Sequence, residues 1–583
     1  MCGLFGFIHL GQPILSPADI QAGKAALDTL AHRGPDQHDS VVLDNLFMGH
    51  RRLSILDLSE EGRQPMQKAR ALITVNGEIY NYKALREALG ESRFHSTSDS
   101  EVVLHGYPDW GLTTLLENMD GMYACAIYDP SRKTLHLARD RAGIKPLLYA
   151  RLGAYFLWAS ELKAILCFAR TLDLPLTRDS TALFDFLTYR YIPAPKTLYH
   201  NVYALPPAHS LSLPLATGQE TLQRYWTLPT SDAPVHHGQA AEQLRALIHE
   251  SVAEQMVSDV PLGFFLSGGM DSSILVTEAA SLRPDLLTFS IGYDHKAHDE
   301  TAFAKIVADQ CHTDHHIEIL QGTDAEHIIP MILNWYDGPF GDASALPTYH
   351  VCRFAKRFAS VALSGDGGDE LFGGYRWYQR FARLHHLQKF LPVPFHDLAR
   401  ARATQHIPLQ KLLLRLDMLS QRDPLALYTM LIDGLPPALT QHYRAELEIP
   451  KDYDALWFFR VHDRPALPLR KRMQALDFHT FLPDDILTKV DRVSMAVSLE
   501  ARVPFLSRAL IEYAFSLPEN FLYKNNTLKG GLKYTYKDRL PPAILNRGKK
   551  GFSLPLHLWN SPQDHLIRFQ ERVFFQYTNN IPI

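Results

Sequence analysis

The sequence predicts two units of different class: an α+β unit over residues 2–210 and an α/β unit with a parallel sheet over residues 240–583. Three observations predict this. Up to residue 165 the chain breaks into short apolar runs separated by turn residues, with two helical stretches among them. From Pro193 to Gly238 it becomes rich in proline, threonine and serine, the composition of a crossing segment, and residues 211–239 are read as a linker. Beyond the linker, apolar strands alternate with helices, the chain order of a parallel sheet.

The elements follow in order. Gly3–Leu10 is an apolar run bounded by Gly11 and Pro13 and is read as a strand. Ala71–Val75 leads into Asn76-Gly77, Met122–Tyr128 alternates up to Asp129-Pro130, and Leu135–Ala138 and Tyr155–Ala159 are similar. Ile20–Leu30 and Tyr82–Leu89 carry helical spacing. In the second unit a helix over Ala240–Met256 places Leu244, Leu247, Ile248 and Val252 on one face. Val260–Leu266, Leu286–Ile291 and Ser360–Leu363 read as buried strands. Tyr375–Leu469, dense in Leu, Arg and His, reads as several helices added to the sheet.

Composition excludes several classes. A net charge of −4 gives no electrostatic footprint for nucleic acid. Five scattered cysteines without a CxxC pair argue against a disulfide framework or a zinc site and fit a reducing compartment. No stretch approaches the ~20 apolar residues that span a bilayer, and no basic-then-apolar leader opens the chain. A cytoplasmic protein without membrane or nucleic-acid partners is expected.

Two features carry chemistry. Met1-Cys2-Gly3 places a thiol at residue 2. Removal of Met1 would put an α-amine, with a reference pKa of about 7.7–8.0, on the same residue as the nucleophile. That amine can act as general base for its own side chain. Further on, Ser267-Gly268-Gly269-Met270-Asp271-Ser272-Ser273 follows a buried strand and opens a helix. Glycines allow close backbone approach, and the N–H groups, helix dipole and three hydroxyls form an anion site. The loop lacks the lysine of a Walker A motif and suits release of intact pyrophosphate, with Asp271 holding Mg2+. A second acidic, glycine-rich loop, Ser364-Gly365-Asp366-Gly367-Gly368-Asp369, also follows a short strand, and the two loops are expected to flank one crevice.

These residues, together with His32-Arg33-Gly34-Pro35-Asp36, Arg52-Leu53-Ser54-Ile55, Asn76-Gly77-Glu78, Ser98-Asp99-Ser100-Glu101 and Glu500-Ala501-Arg502-Val503-Pro504-Phe505, resemble the glutamine-hydrolysing asparagine synthetases over nearly the whole chain. The resemblance implies an N-terminal-nucleophile αββα amidotransferase joined to an ATP-pyrophosphatase unit. It implies that Cys2 attacks glutamine, that Asn76 and Gly77 donate to the oxyanion, that Arg52 clamps the α-carboxylate within the segment Arg52, Leu53, Ser54, Ile55, Leu56, and that Glu78 and Asp99 receive the ammonium group. It also implies that Phe265, Ile291, Ser364 and Gly365 surround the adenosine of ATP, and that Ser267, Gly268, Gly269, Asp271, Ser272 and Ser273 cradle pyrophosphate. Asp271 and Asp369 become Mg2+ ligands, Asp366 serves the acyl-adenylate step, and Lys549 stabilises charge near the α-phosphate.

The reaction so implied adenylates a carboxylate and then aminates it with ammonia released from glutamine. Ammonia made inside the protein avoids conversion to ammonium in water, and the apolar run Met122–Tyr128 is a candidate for part of a tunnel wall. Aspartate is the first expectation for the acceptor; a sugar, cell-wall, peptide or β-amino acid carboxylate is the alternative. A non-catalytic scaffold is a third reading, opposed by the presence of Cys2, Asp271 and Asp369. A homodimer is expected on the same resemblance.

Overall fold

The structure, a computed structural model, describes residues 1–68, 70–229, 234–293, 299–320, 331, 334–388, 418–419, 421–432, 443–548 and 573. The first unit contains twelve strands: β1 Gly3–His9, β2 Gln37–Leu43, β3 Leu46–Arg52, β4 Met66–Lys68, β5 Ala71–Ile79, β6 Gly121–Asp129, β7 Thr134–Arg139, β8 Leu148–Leu152, β9 Tyr155–Ala159, β10 Val202–Ala204, β11 His209–Pro214 and β12 Thr221–Arg224. They form two six-stranded sheets, ordered β10-β8-β9-β1-β3-β2 and β12-β11-β7-β6-β5-β4, and neighbouring strands run antiparallel.

Leu4, Ile8, Met48, Leu72, Ala126, Leu137 and Trp158 meet between the sheets in one apolar layer. Phe5 and Phe7, on the other face of β1, pack with Phe47 beneath helices Pro17–Asp28 and Leu162–Thr171. Period-two alternation along β1 therefore serves two cores. The first of these helices starts at a reciprocal cap, in which Ser16 Oγ accepts from the Asp19 N–H and Asp19 accepts from the Ser16 N–H, with Pro17 at the first helical position. Helices Tyr82–Leu89 and Glu101–Asn118 cover the outer face of the second sheet through Ile73, Val75, Val102 and Val103. The layers run helix, sheet, sheet, helix.

The second unit holds β13 Leu262–Phe265, β14 Leu287–Tyr293, β15 Asp314–Leu320, β16 Val361–Leu363 and β17 Glu500–Arg502, ordered β15-β14-β13-β16-β17 and all parallel. Chain order reverses at β13, where β14 lies on one side and β16 on the other. The carboxyl ends of β13 and β16 thus open onto a switch-point crevice.

Two expectations need correction. The linker expected at 211–239 takes in most of β11, whose Leu211 and Leu213 are buried in the sandwich, and all of β12. Proline-rich flanks hid an alternating strand, and the sheet continues to Arg224. β2, β3 and β8 were also passed over; β3 reads polar because of His50, Arg51 and Arg52, yet its Leu46, Phe47 and Met48 are fully buried. Of the helical stretch Tyr375–Leu469, the structure describes helices Arg376–Gln388, Pro424–Thr429 and Trp457–His462; much of the remainder lies outside the described residues.

Candidate active sites of the two units

Cys2 sits just ahead of β1 and is buried. Its N–H donates to Asn76 Oδ1 at 2.8 Å, and its carbonyl accepts from Arg33 Nε at 3.0 Å. Burial pushes the thiol above its ordinary pKa, while the Met1 ammonium, the Leu53 N–H and Arg52 pull the other way. Asn76 is fully buried on β5, and with Oδ1 engaged its Nδ2 has no partner among the described residues. A buried amide donor without an acceptor, one residue from Gly77 and bonded to the nucleophile's own backbone, is the geometry of an oxyanion donor. Gly77 has φ +148°, and a Cβ there would meet the Met122 carbonyl at 1.9 Å.

Glu78 and Asp99 lie in the same buried region. Asp99 Oδ2 accepts from the Ile79 N–H at 2.7 Å, and burial pushes its carboxyl up to about 6. Glu78 is raised by burial and by the nearby Glu500 and Asp99, against the Arg502 guanidinium 3.6 Å away. Arg52, at the end of β3, is buried in the same region. Its fork donates to Gln37 Oε1 at 2.8 Å, to the Leu56 and Ser59 carbonyls at 3.1 Å each, and to the Asp57 carbonyl. These bonds tie the guanidinium to its own loop, near enough to Cys2 to act on its thiol. That loop carries Leu53, Ile55 and Leu56, all buried, and Ser54, whose N–H donates to Asp36.

Met1 occupies a niche between the units. Its ammonium lies 2.7 Å from Glu500 Oε2, both groups fully buried, and its sulfur touches the Lys145 ammonium. With Met1 attached, the Cys2 nitrogen is an amide.

In the second unit β13 runs into Ser267-Gly268-Gly269 and then helix Met270–Leu282. Gly268 has φ +66°, and a Cβ would strike the Ala304 nitrogen at 2.5 Å, so the turn closes only with glycine. The Ser267 and Ser272 hydroxyls lie 3.2 Å apart at the mouth. Ser273 does not join them: its hydroxyl donates to the Gly269 carbonyl at 2.7 Å and is buried in the helix. The expectation of three converging hydroxyls reduces to two, because Ser273 follows the helical turn inward. The second loop packs on the first through Asp271, which would contact a Cβ on Gly365 or Gly368 at 2.9 and 2.7 Å. Ser364 Oγ donates to Asp366 Oδ2 at 2.5 Å.

Both loops line a cavity of about 690 Å3 that includes Phe265, Ser267, Gly269, Asp271, Ser272, Ile291, Ser364, Gly365, Asp366 and Asp369. Gly268 and Ser273 back the loop without lining the space. Lys549 lies outside the described residues. The sequence reading missed Lys529, whose ammonium bridges Asp271 and Asp369, and Arg547, which caps the Gly268 carbonyl at 2.7 Å and pairs with Glu300. A lysine directly before Gly530-Gly531 was the available signal for the first; nothing in the sequence marked the second.

One strand touches both sites. On β17, Glu500 meets the N-terminus, while the Arg502 carbonyl accepts the Ser364 N–H at 2.8 Å. A buried cysteine beside the buried Asn76 amide in an αββα sandwich, joined in this way to a glycine–serine loop at the end of a parallel sheet, is the build of an amidotransferase unit coupled to a second catalytic unit. A glutamine amidotransferase domain model matches residues 1–226, and an asparagine synthase model matches residues 243–578. Glutamine-hydrolysing asparagine synthetase 1 of Bacillus subtilis strain 168 is 31% identical over 566 residues, covering 96% of this chain and 88% of that one. Synthetase 3 of the same organism is 29% identical over 580 residues, covering 96% and 88%. Amidase chry2 of Gibberella zeae is 26% identical over 629 residues, covering 96% and 90%. The chain belongs to the glutamine-hydrolysing asparagine synthetase family, carbon–nitrogen ligases that use ATP and take nitrogen from glutamine.

Proposed function

We propose that this enzyme converts aspartate to asparagine through an acyl-adenylate, releasing AMP, pyrophosphate and glutamate. The observation that carries the reading is β17, whose side chains reach the nucleophile's end of the molecule and whose backbone holds the adenylating loop. Passage between the sites along this strand would keep ammonia from water, where it would become unreactive ammonium.

Removal of Met1 would give Cys2 its own general base and leave a methionine-sized space beside Glu500. Cys2 then attacks the glutamine amide, with Asn76 Nδ2 and the Gly77 N–H receiving the developing oxyanion. Glu78 and Asp99 supply the negative end of the glutamine pocket. In the second unit Ser267, Ser272 and the helix start at Met270 take the departing pyrophosphate. Asp271 and Asp369 converge on one cation and are the residues that would hold Mg2+, which supplies charge neutralisation to the phosphates. Asp366 lines the same cavity, and we assign it to the step that joins the acceptor carboxylate to the nucleotide.

The test uses amide-15N glutamine in the presence of excess unlabelled ammonia, with aspartate as acceptor. Product that keeps the label supports internal transfer; dilution to the solution ratio refutes it. Absence of pyrophosphate release with aspartate refutes the acceptor.

A second reading of the acceptor has its own support. Arg376, Arg380 and Arg383 follow i, i+4, i+7 spacing on helix Arg376–Gln388 and line the same cavity. An acceptor with an additional anionic group, such as an acidic sugar or an acidic peptide, would complement that stripe. Pyrophosphate release across such carboxylates separates the two readings.

A further inference from the structure

Asp271 and Asp369 come from different loops, each in the first turn of a helix that follows a strand of the central sheet. Their side chains are only 17% and 13% exposed, and like charges held this way require a cation. The cation present belongs to the chain. Lys529, 7% exposed, places Nζ 2.5 Å from Asp369 Oδ1 and in contact with Asp271 Oδ2.

The surrounding backbone is shaped to this triad. A Cβ on Gly374 would fall 1.8 Å from Asp369 Oδ1 and 2.3 Å from Lys529 Cε, and one on Gly368 would meet Asp271 Oδ1 at 2.7 Å. Lys529 itself takes a left-handed conformation, φ +54°, at the start of helix Gly530–Thr535. Two carboxylates that share one ammonium are close enough to share one metal ion, and carboxylate oxygens are the donors Mg2+ selects. The residues present fit that ion.

We propose that Lys529 is a tethered counter-cation that occupies the place of the divalent ion until nucleotide arrives. The proposal rests on reading the cavity as the nucleotide site. Lys529 holds both carboxylates, so a free divalent cation must displace the ammonium to reach them. A cation entering alone would push a buried ammonium off both of these carboxylates, which is costly. Nucleotide phosphates remove that cost, because they receive the ammonium while the carboxylates take the metal. Metal entry is thereby made conditional on nucleotide, and the displaced lysine is delivered to the phosphates.

The experiment titrates Mn2+ into the full-length protein and follows the free-ion signal by electron paramagnetic resonance, with and without a non-hydrolysable ATP analogue. The wild type is expected to bind Mn2+ at least tenfold more tightly with the analogue than without it. Lys529→Met is expected to bind Mn2+ without nucleotide at least tenfold more tightly than the wild type, and to bind the analogue more weakly in metal-free buffer. Equal Mn2+ affinity of the wild type with and without the analogue overturns the proposal, and this needs no variant. Unchanged nucleotide-free affinity in a folded Lys529→Met protein also overturns it. If the analogue binds but Mn2+ does not under any condition, the metal reading of Asp271 and Asp369 fails and the proposal with it. If the analogue itself does not bind, the nucleotide reading of the cavity fails.

Discussion

Cys2 and Asn76 form a pair in which one side chain has two duties. Asn76 Oδ1 fixes the nucleophile's backbone at 2.8 Å, and Nδ2 is left for the substrate. Replacement Cys2→Ala is expected to abolish glutamine-driven synthesis while leaving synthesis from added ammonium salts, as read by pyrophosphate release with each nitrogen source. Asp477 shows a different use of burial. It accepts from Trp377 Nε1 at 3.1 Å, the Tyr378 hydroxyl at 2.8 Å and the Tyr428 hydroxyl at 2.7 Å, yet burial pushes its carboxyl up to about 6. A folded-state value above the unfolded one of about 3.9 stabilises the protein at low pH. That contribution is complete below about 4 and lost as pH rises through 6. Chemical denaturation of wild type and Asp477→Asn at pH 5 and pH 8 is expected to show the wild type losing stability relative to the variant at the higher pH. At this scale the sequence showed which residue types mattered, but not what they touched. Arg52 stands out in a motif, while its bonds to the Leu56, Asp57 and Ser59 carbonyls depend on how its loop closes.

Strand β5 meets β6 unusually closely where Gly77 opposes Tyr123. A methyl group there would collide with the Met122 carbonyl, 1.9 Å from the ideal Cβ position. Gly77→Ala is expected to cost about 2 kcal/mol of stability or more and to remove glutaminase activity, measured by denaturant titration and glutamate release. Helix Arg376–Gln388 carries the acceptor question. If the acceptor has an additional anionic group, Arg380→Ala with Arg383→Ala raises its KM about tenfold or more while KM for ATP stays within twofold, since losing a charge-assisted bond costs roughly 1.5–3 kcal/mol. Unchanged acceptor KM in a folded double variant returns the choice to aspartate. Strands such as β1 and β6 were readable because an uninterrupted apolar run has few alternatives. β11 and β12 were not, because prolines on either side outweighed four or five alternating residues, and period-two alternation over so short a span is a weak signal.

The whole molecule is joined by buried charge. Arg33, from the amidotransferase unit, is fully buried and grips Asp491 of the synthetase unit through two bonds of 2.9 and 3.0 Å, with Glu161 at 2.7 Å on the same guanidinium. Both carboxyls are held below their ordinary range against the cost of burial, by Arg33 foremost at Asp491 and by Arg492 and Arg33 at Glu161. Asp337 of the second unit accepts from the Leu162 N–H at 2.8 Å and so caps a helix of the first. Asp491→Ala is expected to cost about 3 kcal/mol and to separate the two activities, so that more glutamate forms per molecule of amidated product. None of these contacts was legible in the sequence, since Arg33 and Asp491 lie 458 positions apart and no local pattern links them.

This junction limits how such enzymes can be recombined. A chimera that pairs one relative's front half with another's back half would bring together an arginine and an aspartate tuned to different neighbours, and any mismatch would leave an ion stranded in a dry seam. Heredity is thus expected to transmit the two halves as a single cassette, and an engineer grafting a new acceptor pocket onto this scaffold should keep the Arg33–Glu161–Asp491 trio from one parent.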